Sequence, residues 1–149
     1  MFLLTIFIFV ATPQAVFDIY DRFIDKTEYY SIISPAVIKQ KTVVPCSNVE
    51  IVVTRQSLID IATEGRRSLI MELRSGNEVE SVKIRTIAVP IEVRKTEGYT
   101  NVTIIDELPC DLDPGIYYYS GVVPYMIRNA EKTESWYSEY FVVEDPNGQ

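Results

Sequence analysis

The 149-residue chain contains no histidine, and this absence narrows the chemistry open to it. Without histidine there is no Ser-His-Asp or Cys-His nucleophile pair, and the commonest general acid–base residue and zinc ligand are missing. Catalysis would have to depend on carboxylate, lysine or tyrosine side chains alone. The sequence therefore predicts a protein that is not an enzyme and that binds no cofactor or catalytic metal.

The chain also contains few positively charged residues. The chain has 14 Lys and Arg against 21 Asp and Glu, which gives a formal net charge of −7. An acidic surface repels phosphate backbones, so we expect no nucleic-acid partner. Tyrosine is plentiful by contrast, with ten residues beside six Phe and one Trp. Because tyrosine fits a half-buried pleated surface better than a helix, the composition favours β-structure.

The N-terminus carries a hydrophobic run, residues 2–11 (FLLTIFIFVA). Pro13 follows it, but apolar residues at helical spacing continue to Ile24, so residues 1–26 are predicted to form one helix. The run falls short of the ~20 apolar residues typical of a spanning helix. Three interpretations stay open: an uncleaved signal-anchor, a cleavable signal peptide, and an arm packed inside a larger protein assembly.

The residues after this run favour the signal-anchor. Asp18 and Asp21 follow it closely, whereas flanks that stay in the cytoplasm favour Lys and Arg. We therefore expect residues 2–17 to attach the protein to a membrane. The domain at residues 27–149 would then lie on the exported, periplasmic or extracytoplasmic side. The alternative location is a virion, in which the N-terminal segment packs within the particle.

From Thr27 onward the sequence changes to short β-branched and aromatic runs separated by turn residues. These runs predict about seven strands at spacings of roughly 10–16 residues, the number expected of a β-sandwich. Pro35 predicts an edge strand or a bulge in the first strand, and Pro90 interrupts one or two strands within residues 79–93. Residues 57–65 have the spacing of a capping box and predict either a two-turn helix or an irregular loop.

An acidic turn followed by Pro114, Gly115 and Tyr117 resembles the corner before the sixth strand of immunoglobulin-like and fibronectin-like domains. In that corner the tyrosine hydroxyl bonds to upstream backbone and locks the turn. Residues 135–145 are similar to the last strand of such domains. The resemblance implies an all-β, immunoglobulin-like antiparallel sandwich with Tyr117 as its tyrosine corner. Cys110 precedes this tyrosine instead of following it, so the domain is not of the antibody type.

The layout of the whole chain carries a second resemblance. One hydrophobic N-terminal helix, a juxtamembrane Tyr20-Asp21-Arg22 and a single sandwich domain are similar to the layout of short proteins encoded by tailed bacteriophages. This resemblance implies a phage origin and no particular activity.

The two cysteines, Cys46 and Cys110, fall at the turn into the second strand and at the turn before the sixth. In the implied topology these corners lie at the same end of the sandwich, so a disulfide bond is open to them. Such a bond would constrain the unfolded chain by about 4 kcal/mol. Two free buried thiols are the alternative. Export of the domain favours the bond.

Two further groups of residues are candidates for contacts. Asp111 and Asp113 lie in one acidic loop and offer carboxylate oxygens to Ca²⁺, although Asp-Pro-Gly is also ordinary turn chemistry. Tyr118, Tyr119 and Tyr125 are candidates for a contact patch, since tyrosine is enriched at interfaces. These tyrosines belong to a group that alternates across two faces, so at least half of the group is expected in the core.

These observations predict a non-enzymatic structural or binding module, membrane-anchored or exported, that contacts a partner protein or a cell-surface glycan. A first alternative is a virion component, such as a decoration, neck or tail protein. A second alternative is a small exported hydrolase or inhibitor that uses the acidic loop as its site.

Overall fold

The computed structural model describes residues 27–94, 98–127 and 130–145. In this part of the chain the regular elements are all strands, and no helix is long and apolar enough to cross a membrane. The nine strands of the described residues are β1 (Tyr30–Ile38), β2 (Thr42–Val43), β3 (Asn48–Ser57), β4 (Ile61–Ser75), β5 (Glu78–Arg94), β6 (Gly98–Glu107), β7 (Gly115–Ile127), β8 (Ala130–Tyr137) and β9 (Phe141–Val143). The predicted helix over residues 1–26, and with it the membrane contact of residues 2–17, lies outside the described residues.

The strands form two sheets, which confirms the all-β prediction. The three-stranded sheet has the order β1-β3-β6 and is antiparallel. The six-stranded sheet has the order β2-β9-β7-β4-β5, and β8 pairs with β7 beside β9. Of the strand pairs in the described residues, β2–β9 alone is parallel. Long antiparallel strands thus supply most of the architecture.

The strand count differs from the prediction of about seven. The predicted closing strand divides into β8, which ends at Tyr137, and β9, which begins at Phe141. The short β2 was not predicted. The stretch around Pro90 is one continuous strand, β5, in which a register shift against β4 accommodates the proline.

The two-turn helix considered for residues 57–65 is wrong. β3 ends at Ser57 and β4 begins at Ile61, so only a tight connection separates them. Thr63 and Gly65 are buried and alternate with exposed neighbours. This period of two places the segment in a sheet, and it overrides the local capping-box spacing.

The core lies between the inner faces of the two sheets. β3 contributes buried residues at alternate positions, among them Ile51, as the sequence pattern predicts. From β7, Tyr117 and Tyr119 are fully buried, and both rings stack on Phe141 with centroid distances of 6.0 and 5.8 Å. Aromatic side chains therefore fill the middle of the sandwich.

The two sheets meet on one side and stay apart on the other. β1 is an edge strand with a register shift between Ile33 and Val37, which confirms the prediction made from Pro35. Ala36 forms a parallel bridge with Ser138, so the end of β1 joins the six-stranded sheet. On the opposite side, β5 and β6 are the outer strands of their sheets and have no further partner among the described strands.

Candidate functional site

The predicted disulfide bond joins Cys46 and Cys110, whose Cα atoms are 4.4 Å apart. The amide of Cys46 donates to the carbonyl of Pro109, and the amide of Leu108 donates to the carbonyl of Ser47. These hydrogen bonds hold the turn before β3 against the end of β6. The bond therefore closes one end of the sandwich, as its place at two corners implied.

Tyr117 makes the contact that the tyrosine-corner resemblance implies. Its hydroxyl donates a hydrogen bond of 2.7 Å to the carbonyl of Asp113, and burial raises its pKa. Asp111 and Asp113 are exposed on either side of the buried Leu112. The described residues hold no group of three or more potential metal ligands of the His, Cys, Asp or Glu type. Calcium binding at Asp111 and Asp113 stays a prediction without a described ligand set.

The predicted tyrosine patch needs a correction. Tyr119 and Tyr125 lie in the core, with 0% and 6% of their surfaces exposed, so they are unavailable for contacts with a partner. The ring of Tyr125 packs edge-on against Tyr30 at 5.8 Å. Because side chains alternate along β7, Tyr118 points to the outer face of the six-stranded sheet and is half-buried there.

Tyr118 belongs to a surface that we call the outer tyrosine face, formed by Tyr118, Tyr137, Tyr140, Glu72 and Val142. The rings of Tyr118 and Tyr140 pack edge to face with centroids 5.3 Å apart. Tyr137 and Tyr140 are 54% and 53% exposed, and Val142 is also exposed. Tyr137 pairs with Ser120, and Val142 pairs with Ile116, so both share the outer side of the sheet with Tyr118.

Glu72 fixes the geometry of the outer tyrosine face. Its Oε1 accepts a hydrogen bond of 2.7 Å from Nε of Arg74, and Tyr140 also hydrogen-bonds to it. These two hydrogen bonds, that of Arg74 first, hold the pKa of Glu72 below its usual value. The hydroxyl of Tyr118 points to Ser81 Oγ at 3.4 Å. Polar contacts and the packing between Tyr118 and Tyr140 therefore define the positions of the two rings.

A buried polar cluster joins the two sheets. Asp106 of β6 is 4% exposed and accepts hydrogen bonds from Nη2 of Arg67 at 3.0 Å, from Nη2 of Arg85 at 2.8 Å and from the hydroxyl of Tyr119 at 2.7 Å. Arg85 also donates to the carbonyl of Glu107. Burial, and after it the hydrogen bond to Asp106, raises the pKa of Tyr119. The Nε atoms of both arginines are buried without an acceptor.

A cavity of about 70 Å³ lies between the sheets, and we call it the inter-sheet slot. Its charged lining residues are Arg55, Arg66, Arg67 and Glu64, so arginine outnumbers the one carboxylate. Most of the lining is apolar and comes from both sheets, including Val53, Val102, Ile104, Val89, Val123 and Trp136. Arg55 donates from Nε to Oγ1 of Thr100 at 3.2 Å. The slot thus combines an apolar wall with cationic groups.

Sequence reasoning missed the polar cluster and the slot. One signal was present, since Asp106 continues the inward alternation of Val102 and Ile104 along β6 and so occupies a core position. A carboxylate at a core position requires partners. Nothing in the local sequence distinguishes its partners Arg67 and Arg85 from the other basic residues of the chain.

No protein-family model matches the chain, and no curated protein matches it. Among solved structures, the chain is similar to the sporulation control protein Spo0M from Bacillus subtilis, with a TM-score of 0.51 and 12% sequence identity. The similarity covers 80% of this chain and 51% of that one, so this chain spans about half the length of the Spo0M structure. At this identity the similarity shows a distantly shared all-β fold and nothing about activity.

Proposed function

We propose that the protein is a non-enzymatic binding module whose immunoglobulin-like domain works on the extracytoplasmic side of a membrane. The disulfide bond supports this location, since such bonds persist in oxidising compartments. The apolar residues 2–17 supply a segment suited to membrane attachment. The absence of histidine supports a role in binding over one in catalysis.

The outer tyrosine face is the surface that makes the contact, and the Tyr118–Tyr140 pair carries this proposal. Tyrosine rings bring a large contact area at a low cost in side-chain entropy, and they are enriched at protein interfaces. Here the packing of the Tyr118 and Tyr140 rings against each other reduces that cost further. Exposed Val142 and Tyr137 extend the apolar area on both sides. We infer that the partner is a protein.

Site-specific photo-crosslinking in cells that express the full chain tests this proposal. A photoreactive residue at position 137 or 140 is expected to give a discrete protein adduct. The control position is Leu58, which is 45% exposed in the connection between β3 and β4. Adducts of equal yield at position 58, or none at positions 137 and 140, would contradict the proposed contact surface. Adducts that glycosidases remove would replace the protein partner with a glycan.

Membrane attachment is tested separately by deletion of residues 2–17. We expect the shortened chain to be soluble and to keep the circular dichroism of a β-protein, because residues 27–145 carry the buried core. Loss of the β signal would instead show that the N-terminal residues belong to that core.

A further inference from the structure

β6 is an edge strand that lacks the features which usually prevent another strand from pairing with it. It pairs with β3 over all ten residues without a register shift, and its other side has no partner among the described strands. Its sequence contains no Pro, Lys or Arg, and its inward charge, Asp106, is already paired with two arginines. Natural sheets protect long, regular edges with such residues or with bulges, since a bare edge accepts another strand.

β5, the neighbouring edge, provides the contrast. It contains Pro90 and the exposed Lys83, and its pairing with β4 shifts register twice. Each of these features hinders the addition of a further strand. The open side of the sandwich therefore has one protected edge and one receptive edge, and the receptive one is β6.

Beside β6, the three-stranded sheet leaves part of the facing sheet uncovered. The sheet that contains β6 has three strands, whereas the sheet that faces it has six. Val102 and Ile104 point inward from β6 but are only half-buried, and both line the inter-sheet slot together with Val89 of β5. A strand added to the free edge of β6 would direct alternate side chains toward this slot. The occupant needs small or medium apolar side chains there.

The charge of the slot sets a second requirement for the strand that would occupy it. Arg55, Arg66 and Arg67 line the slot beside a single carboxylate, that of Glu64, and no carboxylate of the described residues pairs with Arg55. Arg67 and Arg85 share the single carboxylate of Asp106, which leaves one positive charge in excess. This local cationic character occurs in a chain whose net charge is −7. An occupant with a carboxylate would complement it.

We propose that the free edge of β6 binds an extended segment of a partner protein by strand addition. The segment carries one acidic and two apolar residues at alternate positions. The apolar side chains enter the slot beside Val102 and Ile104, and the carboxylate pairs with Arg55. This inference deepens the proposed binding function by naming the kind of partner, and it uses a surface separate from the outer tyrosine face.

The probe is the capped peptide Thr-Glu-Thr-Val-Thr-Val-Thr, together with its reversed sequence so that both strand directions are sampled. Each is titrated into the full chain in a mild detergent, and amide hydrogen exchange locates the site. We expect slower exchange along β6 and no change along β5 or at the outer tyrosine face. Replacement of the peptide Glu by Gln is expected to weaken binding about tenfold.

The matched protein variants are Arg55→Gln and Lys83→Gln, which remove the same charge from the slot and from an exposed position of β5. Arg55→Gln is expected to weaken binding of the Glu peptide and to leave the Gln peptide unaffected, and Lys83→Gln to change neither. If Arg55→Gln does not fold, the Glu and Gln peptides on the unaltered chain still decide the matter.

Three results would overturn the proposal: protection outside β6, equal binding of the Glu and Gln peptides, and concentration-dependent protection of β6 without peptide. The last would identify a second copy of the chain as the occupant. None of these results bears on crosslinks at positions 137 and 140, so failure here is distinguishable from failure of the proposed function.

Discussion

The hydroxyl of Tyr119 donates a hydrogen bond of 2.7 Å to Oδ2 of Asp106, and this bond spans the interior from the six-stranded to the three-stranded sheet. Tyr119 is fully buried and Asp106 is 4% exposed, so water does not compete for the contact. Charge-assisted hydrogen bonds are stronger than neutral ones, and burial strengthens them further. The pair therefore ties the two sheets together beside the open side of the sandwich.

Removal of this bond is the first test. We expect Tyr119→Phe to lower the free energy of unfolding by about 1.5–3 kcal/mol, the range for a hydrogen bond to a charged group. Urea unfolding measures the change. Tyr137→Phe is the control, because that ring is 54% exposed, and it is expected to have little effect. Equal effects of the two substitutions would show that the Asp106 contact does not stabilise the fold.

Removal of the carboxylate is the second test. Asp106→Leu leaves Arg67 and Arg85 facing each other without a counter-ion, and we expect a loss of about 3 kcal/mol in the free energy of unfolding. This value is at the low end for a buried pair, because the Arg85 side chain is 34% exposed. Adding Arg67→Met and Arg85→Met to the same chain is expected to recover most of the loss. A triple variant no more stable than the single one would contradict this account.

Stability at high pH is the third test. Burial is the largest cause that raises the pKa of Tyr117, Tyr119 and Tyr125 above the ordinary value of 10.0. Below pH 10 these hydroxyls are protonated in both states, so their contribution to stability is complete. As the pH rises above 10 the unfolded chain loses their protons first, and the free energy of unfolding falls.

Urea unfolding at pH 8 and at a pH above 10 measures this dependence. Tyr119→Phe is expected to make the decline shallower, since one raised pKa is removed. An unchanged decline in that variant would show that Tyr119 does not take part.

The contact between Gly121 and Trp136 gives the fourth test. These residues are paired across β7 and β8, and a methyl group at Gly121 would overlap the indole ring of Trp136. We expect Gly121→Ala to cost about 1–3 kcal/mol through overpacking and to shift the fluorescence of this single tryptophan. Gly65→Ala is the control, because the nearest atom to its new methyl group would be 3.4 Å away. Native fluorescence in Gly121→Ala would contradict the packing described here.

The disulfide bond gives the fifth test. Replacement of both Cys46 and Cys110 by alanine is expected to lower the free energy of unfolding by about 4 kcal/mol, since the bond closes a loop with a sequence separation of 64. Urea unfolding of the double variant measures the change, and reduction of the unaltered chain should reproduce it. Identical mobility of reduced and non-reduced samples would show that the bond does not form.

Much of this fold could be predicted from local patterns in the sequence. The period of two in β3, the bulge near Pro35 and the turn that Tyr117 closes all follow from residues close together in the sequence. The disulfide pairing could be predicted because Cys46 and Cys110 are the only cysteines in the sequence. The alternation along β7 predicted that half of its tyrosines are buried. The contact patch predicted at Tyr119 and Tyr125 was wrong, because both residues share their face of β7 with the buried Tyr117.

The polar cluster and the inter-sheet slot depend on the packing of the sheets. Asp106 meets Arg85 across 21 residues and Arg67 across 39, and the three lie on three different strands. No spacing in the sequence relates them, since the order of strands in each sheet and the angle at which the sheets face each other bring them together. The slot has the same origin. Three strands cannot cover six, and that mismatch exists only after both sheets have formed.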